Sequence, residues 1–187
     1  MNNSDKKLLL KLARDSIKTY FKSKKPDMKE AKHLSGKQGV FVTLHDKDGD
    51  LRGCIGFPMP AYPLNMAVVE AARSAAFYDP RFPPVEEKEF DKIVIEISVL
   101  TLPEPVKVER ASEYMDKIKI GVDGLIIDGA YGSGLLLPQV ATENNFNVQT
   151  FLNCLCQKAG MGFYCWKDLS NKISKFQAIV FNEKDFK

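Results

Sequence analysis

Two short apolar runs separated by an acidic turn constrain the fold of this chain more than any other feature. Val40, Phe41, Val42, Thr43 and Leu44 are β-branched or apolar, Asp46, Lys47, Asp48, Gly49 and Asp50 follow, and Leu51, Arg52, Gly53, Cys54, Ile55 and Gly56 come next. Such runs favour extended backbone, and an aspartate-rich turn with a glycine suited to positive φ reverses the chain, so the segment predicts an antiparallel hairpin. Strand alternation then sets Arg52, Cys54 and Gly56 on one face and Leu51, Gly53 and Ile55 on the other. With Lys47, Asp48 and Gly49 as a type I turn with a glycine bulge, Asp46 pairs with Asp50 and Cys54 faces Val42. His45 then lies on the opposite face, ~10 Å along the strand; a four-residue loop reverses that parity.

Any chemistry centres on Cys54. Gly53 and Gly56 lack side chains and leave the backbone open to a ligand or another strand. A guanidinium at Arg52 on the same face favours thiolate over thiol, which is how a cysteine becomes nucleophilic. The plain alternative is a buried structural cysteine in a glycine-bulged strand.

Leu51-Arg52-Gly53-Cys54-Ile55-Gly56, followed by Asp79-Pro80-Arg81-Phe82-Pro83-Pro84 and by Leu136-Leu137-Pro138-Gln139-Val140-Ala141, resembles the AMMECR family. The resemblance implies one α+β domain over residues 1–187, two-lobed, with a mainly antiparallel sheet flanked by helices. It implies a larger and a smaller lobe, with the LRGCIG segment near the cleft between them. It supplies no reaction. Some prokaryotic relatives are fused to, or encoded beside, Memo-like and radical SAM domains, which implies a shared pathway by association only. Many relatives carry a histidine immediately before the glycine matching Gly124, but Asp123 stands here, so the resemblance implies no universal Cys-His dyad unless a carboxylate orients the chemistry in this chain.

Composition narrows the alternatives. The chain has 187 residues, 44% hydrophobic and 27% charged, as expected of a globular protein able to bury a sizeable core. Its net charge of +3 is mild and its cations are interleaved with acids, unlike the dense basic stripe of a nucleic-acid binder. No apolar stretch approaches the ~20 residues of a spanning helix. Leu8, Leu9 and Leu10 form the longest apolar run near the N-terminus, too short for a secretory core, so a cytoplasmic location is expected. Four cysteines without scaffold spacing then read as reduced thiols.

Along the chain, a helix is expected from Asp5 to Tyr20 with Ser4 as its N-cap, then an irregular polar connection from Lys22 to Gly39. A second helix runs from about Pro63 to Phe77, stopped by Asp79 and Pro80, with Pro83 and Pro84 holding the next segment extended and Arg81 in place. A strand from Ile93 to Thr101 carries Glu96 on a largely apolar face, where it needs a lysine or arginine partner unless it is a catalytic carboxylate. A short helix spans Ser112 to Lys117. A hairpin follows with arms Gly124–Ile127 and Leu135–Leu137, and Asn147 caps a helix closed by Gly160. A strand from Ile173 to Phe181 ends the chain.

Several patterns fail on spacing. Asp46, Asp48 and Asp50 begin like a calcium loop, but glycine comes one position early and Phe57 stands where the closing glutamate belongs. Gly129–Gly134 lacks the lysine and helix of a phosphate loop. Cys154 and Cys156 lie ~200° apart around a helix and cannot share a metal. Cys156 reads as core, Cys165 as separately buried, and no metal or other cofactor is expected.

Two function readings follow. The first is a binding module with a cleft around Cys54, accepting a peptide or protein partner or an anionic small molecule through Arg52, Gly53, Gly56, Asp79 and Arg81. The second is a thiol-dependent enzyme with Cys54 as nucleophile, Arg52 and Arg81 binding an anionic substrate and Asp79 orienting Arg81, in a pathway with Memo-like and radical SAM proteins.

Overall fold

A computed structural model describes residues 1–186. The fold is α+β, and the chain forms two compact units: residues 1–100 with the segment from Ile179 onward, and Thr101–Ala178.

The first unit sets two helices, α1 (Asn3–Phe21) and α2 (Leu64–Phe77), on a sheet of β1 (Val40–His45), β2 (Leu51–Phe57), β3 (Val94–Leu100) and β8 (Ala178–Asn182). The strand order is β2-β1-β3-β8, with β2 and β3 antiparallel to β1. Val40, Val42, Leu44, Ile95 and Ile97 face Leu9, Ile17 and Val68 in one apolar core, which is what period-two strands and helical spacing dictate. At Gly53 a Cβ would stand 2.2 Å from the Ala75 carbonyl oxygen, so only glycine lets α2 lie this close to β2.

The hairpin forms as expected, and the Asp46 N–H bonds the Asp50 carbonyl at 2.9 Å. Its register is shifted. Leu44 pairs with Gly53 but His45 pairs with Leu51, leaving Arg52 as the extra residue of a β-bulge. Cys54 therefore faces Thr43, not Val42. Residues opposite one another share a face, so His45, two positions from Thr43, lies on the face of Cys54 and not the opposite one. Strict alternation from Leu51 to Gly56 fails at Arg52 for the same reason.

Other boundaries moved. Asn2, whose side chain accepts from the Asp5 N–H at 2.8 Å, caps α1 in place of Ser4. A single turn, α3 (Glu87–Phe90), precedes β3 with a capping box between Glu86 and Glu89. Val85 N–H bonds the Ala76 carbonyl at 2.8 Å and turns the proline-rich segment back beside α2.

The second unit holds β4 (Glu104–Pro105), α4 (Tyr114–Lys117), β5 (Gly124–Gly129), β6 (Gly132–Leu136), α5 (Pro138–Glu143), α6 (Val148–Lys158) and β7 (Lys172–Phe176). Its strand order is β4-β7-β5-β6, with antiparallel pairings throughout. Leu125, Ile127 and Ile173 of the sheet pack on Phe151, Leu152 and Leu155 of α6. Gly129 pairs with Gly132, so the glycines expected in a loop lie in the strands and only Ala130 and Tyr131 turn the chain.

The expected strand Ile173–Phe181 is two strands in two sheets. The break falls at Gln177, whose N–H bonds the Thr101 hydroxyl and whose carbonyl accepts from Thr101 N–H, each at 2.9 Å. The reading of four reduced thiols is also corrected: Cys156 and Cys165 form a disulfide, and Cys54 and Cys154 are free. Helical spacing separates Cys154 from Cys156, but it says nothing of Cys165, which the chain after Gly160 folds back onto α6. No helix among the described residues is long and apolar enough to cross a membrane.

Candidate functional site

β2 is an edge strand, and alternate residues of an edge point their backbone N–H and C=O groups away from the sheet, unpaired. At Cys54 both groups are taken. The Cys54 N–H donates to Asp79 Oδ2 at 2.8 Å, and Arg81 Nη2 donates to the Cys54 carbonyl at 3.0 Å. Asp79 and Arg81 thus occupy the place of a neighbouring strand.

The two side chains are locked to each other. Arg81 donates from Nε to Asp79 Oδ1 at 2.9 Å and from Nη2 to Oδ2 at 2.7 Å, and its backbone N–H reaches Oδ1 at 3.1 Å. Asp79 is buried while the Arg81 side chain is 53% exposed. The Arg81 side-chain hydrogen bonds hold the Asp79 carboxyl far below its ordinary value of 3.8 against the opposing effect of burial, helped by the Cys54 and Arg81 backbone donors. Arg81 Nη1 makes no hydrogen bond among the described residues, so its two donors are unpaired on a half-exposed side chain.

Arg52 is placed differently from its expected role. Its Nε and Nη2 donate to Glu89 of α3 at 3.1 and 2.8 Å, and its side chain is 14% exposed. Nη1 is buried and has no partner among the described residues. Gly53 and Gly56 do not leave open backbone either. The first is filled by α2, and a Cβ at Gly56 would stand 2.3 Å from the Val40 carbonyl oxygen.

The Cys54 thiol is half-buried and accepts a hydrogen bond from the Thr43 hydroxyl at 3.3 Å, and the Arg81 guanidinium lies near enough to the sulfur for the two to interact. No imidazole reaches it. His45 Nδ1 lies 3.3 Å from the Gly49 carbonyl, and His33 bonds Asp5 at 2.9 Å. Asp123, the residue before Gly124, accepts from Lys119 N–H at 2.9 Å and from Lys175 Nζ at 3.4 Å. Glu96 pairs in register with Thr43 on the face of Cys54, and the lysine or arginine partner expected for it is not found among the described residues. Thr43 and Glu89 were missed in the sequence. The bulge that brings Thr43 opposite Cys54 leaves no residue signal, and Glu89 lies in a one-turn helix too short for periodicity.

A family model described as AMMECR1 matches residues 10–181. The chain belongs to the AMMECR1 family. It is 44% identical to a protein of Methanothermobacter thermautotrophicus, over 98% of this chain and 96% of the relative. It is 47% identical to Protein MJ0810 of Methanocaldococcus jannaschii, over 93% and 88%. Its fold is similar to the crystal structure of the uncharacterised protein PH0010 from Pyrococcus horikoshii, with a TM-score of 0.87, 43% identity and coverage of 98% of this chain and 94% of that one. Of the segments that carry the AMMECR resemblance, LRGCIG forms most of β2, the Asp79–Pro84 stretch clamps it, and Leu136–Ala141 ends β6 and begins α5.

Proposed function

We propose that this protein is a binding module that receives an anionic group, a carboxylate or phosphate, at Arg81 beside Cys54. The observation that carries this reading is the lock on Arg81: Asp79 and the Cys54 carbonyl hold its Nε and Nη2, while Nη1 keeps both donors free. A guanidinium fixed in this way loses little rotamer freedom when a ligand arrives. The occupied edge at Cys54 argues against strand addition there as the mode of recognition. A small molecule or a charged side chain of a protein partner both fit.

The alternative is a thiol-dependent enzyme on an anionic substrate, favoured by the Thr43 hydroxyl and the nearby Arg81 guanidinium, which would stabilise a thiolate at Cys54. It lacks a base within hydrogen-bond reach of the sulfur. Iodoacetamide labelling at pH 6, followed by mass spectrometry, separates the two, with free Cys154 as internal reference. The binding reading expects Cys54 to react no faster than Cys154. Labelling at least about tenfold faster at Cys54 would identify an activated nucleophile. Titration with inorganic phosphate should shift the Arg81 Nε–H resonance saturably and leave that of Arg52 in place; an unresponsive Arg81 overturns the anion site.

A further inference from the structure

The second unit contains a cavity of about 310 Å³ where the chain after β4 leaves β7. Val106 N–H still bonds the Ile173 carbonyl at 2.8 Å; beyond it the two segments part and α4 closes one end. Val106, Val108, Leu169 and Ile173 give apolar walls. Ligand sites of small molecules have this character, mostly apolar with a few convergent polar groups.

Tyr114 is the buried polar group of this cavity that makes no hydrogen bond within the fold. It is 3% exposed, its ring packs edge-on against Trp166, and it lines the cavity. Its hydroxyl makes no hydrogen bond among the described residues, and burial alone acts on its ionisation, raising it above the ordinary phenol value. The phenol is a donor without an acceptor among the described residues, and its oxygen, unlike Arg52 Nη1, is not sealed from solvent, so a molecule entering the cavity can accept from it. Two exposed lysines line the same cavity, Lys107 and Lys172, and neither forms an ion pair among the described residues. Asp128 lies across from Lys172 in the ladder without reaching it.

We infer that this cavity binds a small monocarboxylic acid with an apolar body, whose carboxylate accepts from the Tyr114 hydroxyl and is attracted by Lys107 and Lys172. The apolar walls suit a ring or branched chain, and the available groups are donors and cations, which a carboxylate satisfies and a neutral apolar molecule does not. Phosphate suits the walls poorly, since its oxygens need donors on every side. This site uses none of the residues around Cys54, and its fate is independent of the reading proposed there.

The same chemistry, a carboxylate on an apolar body, also occurs at the C-terminus of a peptide. The test therefore titrates the full chain with phenylacetate, with its neutral counterpart 2-phenylethanol and with N-acetyl-glycyl-leucine, read by amide chemical shifts. Phenylacetate should shift the Val106–Val108 and Ile173 amides saturably and bind more tightly than the other two. Tyr114→Phe keeps the ring and should weaken binding about tenfold, the usual loss of a hydrogen bond to a charged group. Lys172→Gln, at an exposed position that folding does not need, should weaken it by about threefold. Absence of saturable shifts, equal affinity for 2-phenylethanol, tighter binding of the peptide, or no effect of both variants would each overturn the inference.

Discussion

Asp79 gathers four donors on one buried carboxylate: the Cys54 and Arg81 backbone N–H groups and two guanidinium nitrogens. Replacing it with asparagine removes the charge that all four address, and Asp79→Asn should cost about 2 kcal/mol, read from urea midpoints at pH 7. The pH dependence has a definite sign. A carboxyl whose folded value lies below its unfolded 3.8 binds fewer protons folded than unfolded in the acid range, so stability rises with pH there. Its contribution is full above about pH 5 and is lost progressively as pH falls below about 4. Asp79→Asn should flatten that acid slope but not abolish it, because Arg52 lowers Glu89 in the same direction. Gly53 makes a second residue-scale prediction. Gly53→Ala forces a Cβ into the Ala75 carbonyl and should cost about 2 kcal/mol, whereas Gly36→Ala, with nothing within 4 Å, should stay within about 0.5 kcal/mol by the same measurement.

At the scale of elements, α6 was legible from both ends. Asn147 accepts from the Thr150 N–H at 2.8 Å, and Gly160 adopts φ +71, as the cap and stop residues in the sequence require. Its buried stripe of Phe151, Leu152, Leu155 and Cys156 also follows from helical spacing. The Cys156–Cys165 bond did not, because a disulfide depends on where a later segment returns, not on the helix that presents one sulfur. The bond closes a short loop, nine residues in separation, and Cys165→Ala should lower stability by about 2.5 kcal/mol in urea. Thiol titration of the unfolded, unreduced protein should find two free thiols, Cys54 and Cys154, and all four cysteines after reduction. Four before reduction would remove the bond.

At the scale of the whole molecule, the chain leaves the first unit after Leu100 and returns to it at Ile179. The returning segment completes that unit's sheet with β8 and buries Phe181 in its core, while Glu183 binds Arg14 at 2.5 and 2.6 Å and accepts from Ile95 N–H at 2.9 Å. Phe181→Ala should therefore destabilise the first unit by about 3 kcal/mol, seen as faster hydrogen exchange in α1 and β3. The sequence by itself determined the first hairpin, the long helices and the closeness of Arg81 to Asp79, because these rest on periodicity, caps and rigid short loops within a few residues of one another, while the α+β class followed from the resemblance of its motifs to the AMMECR family. Only tertiary structure decided the bulge at Arg52 that turns Cys54 toward Thr43, the pairing of Arg52 with Glu89, the disulfide, and the division of the last strand at Gln177. Each joins groups distant in sequence or shifts a register by one residue, and local side-chain preference is nearly the same on either side of such a choice.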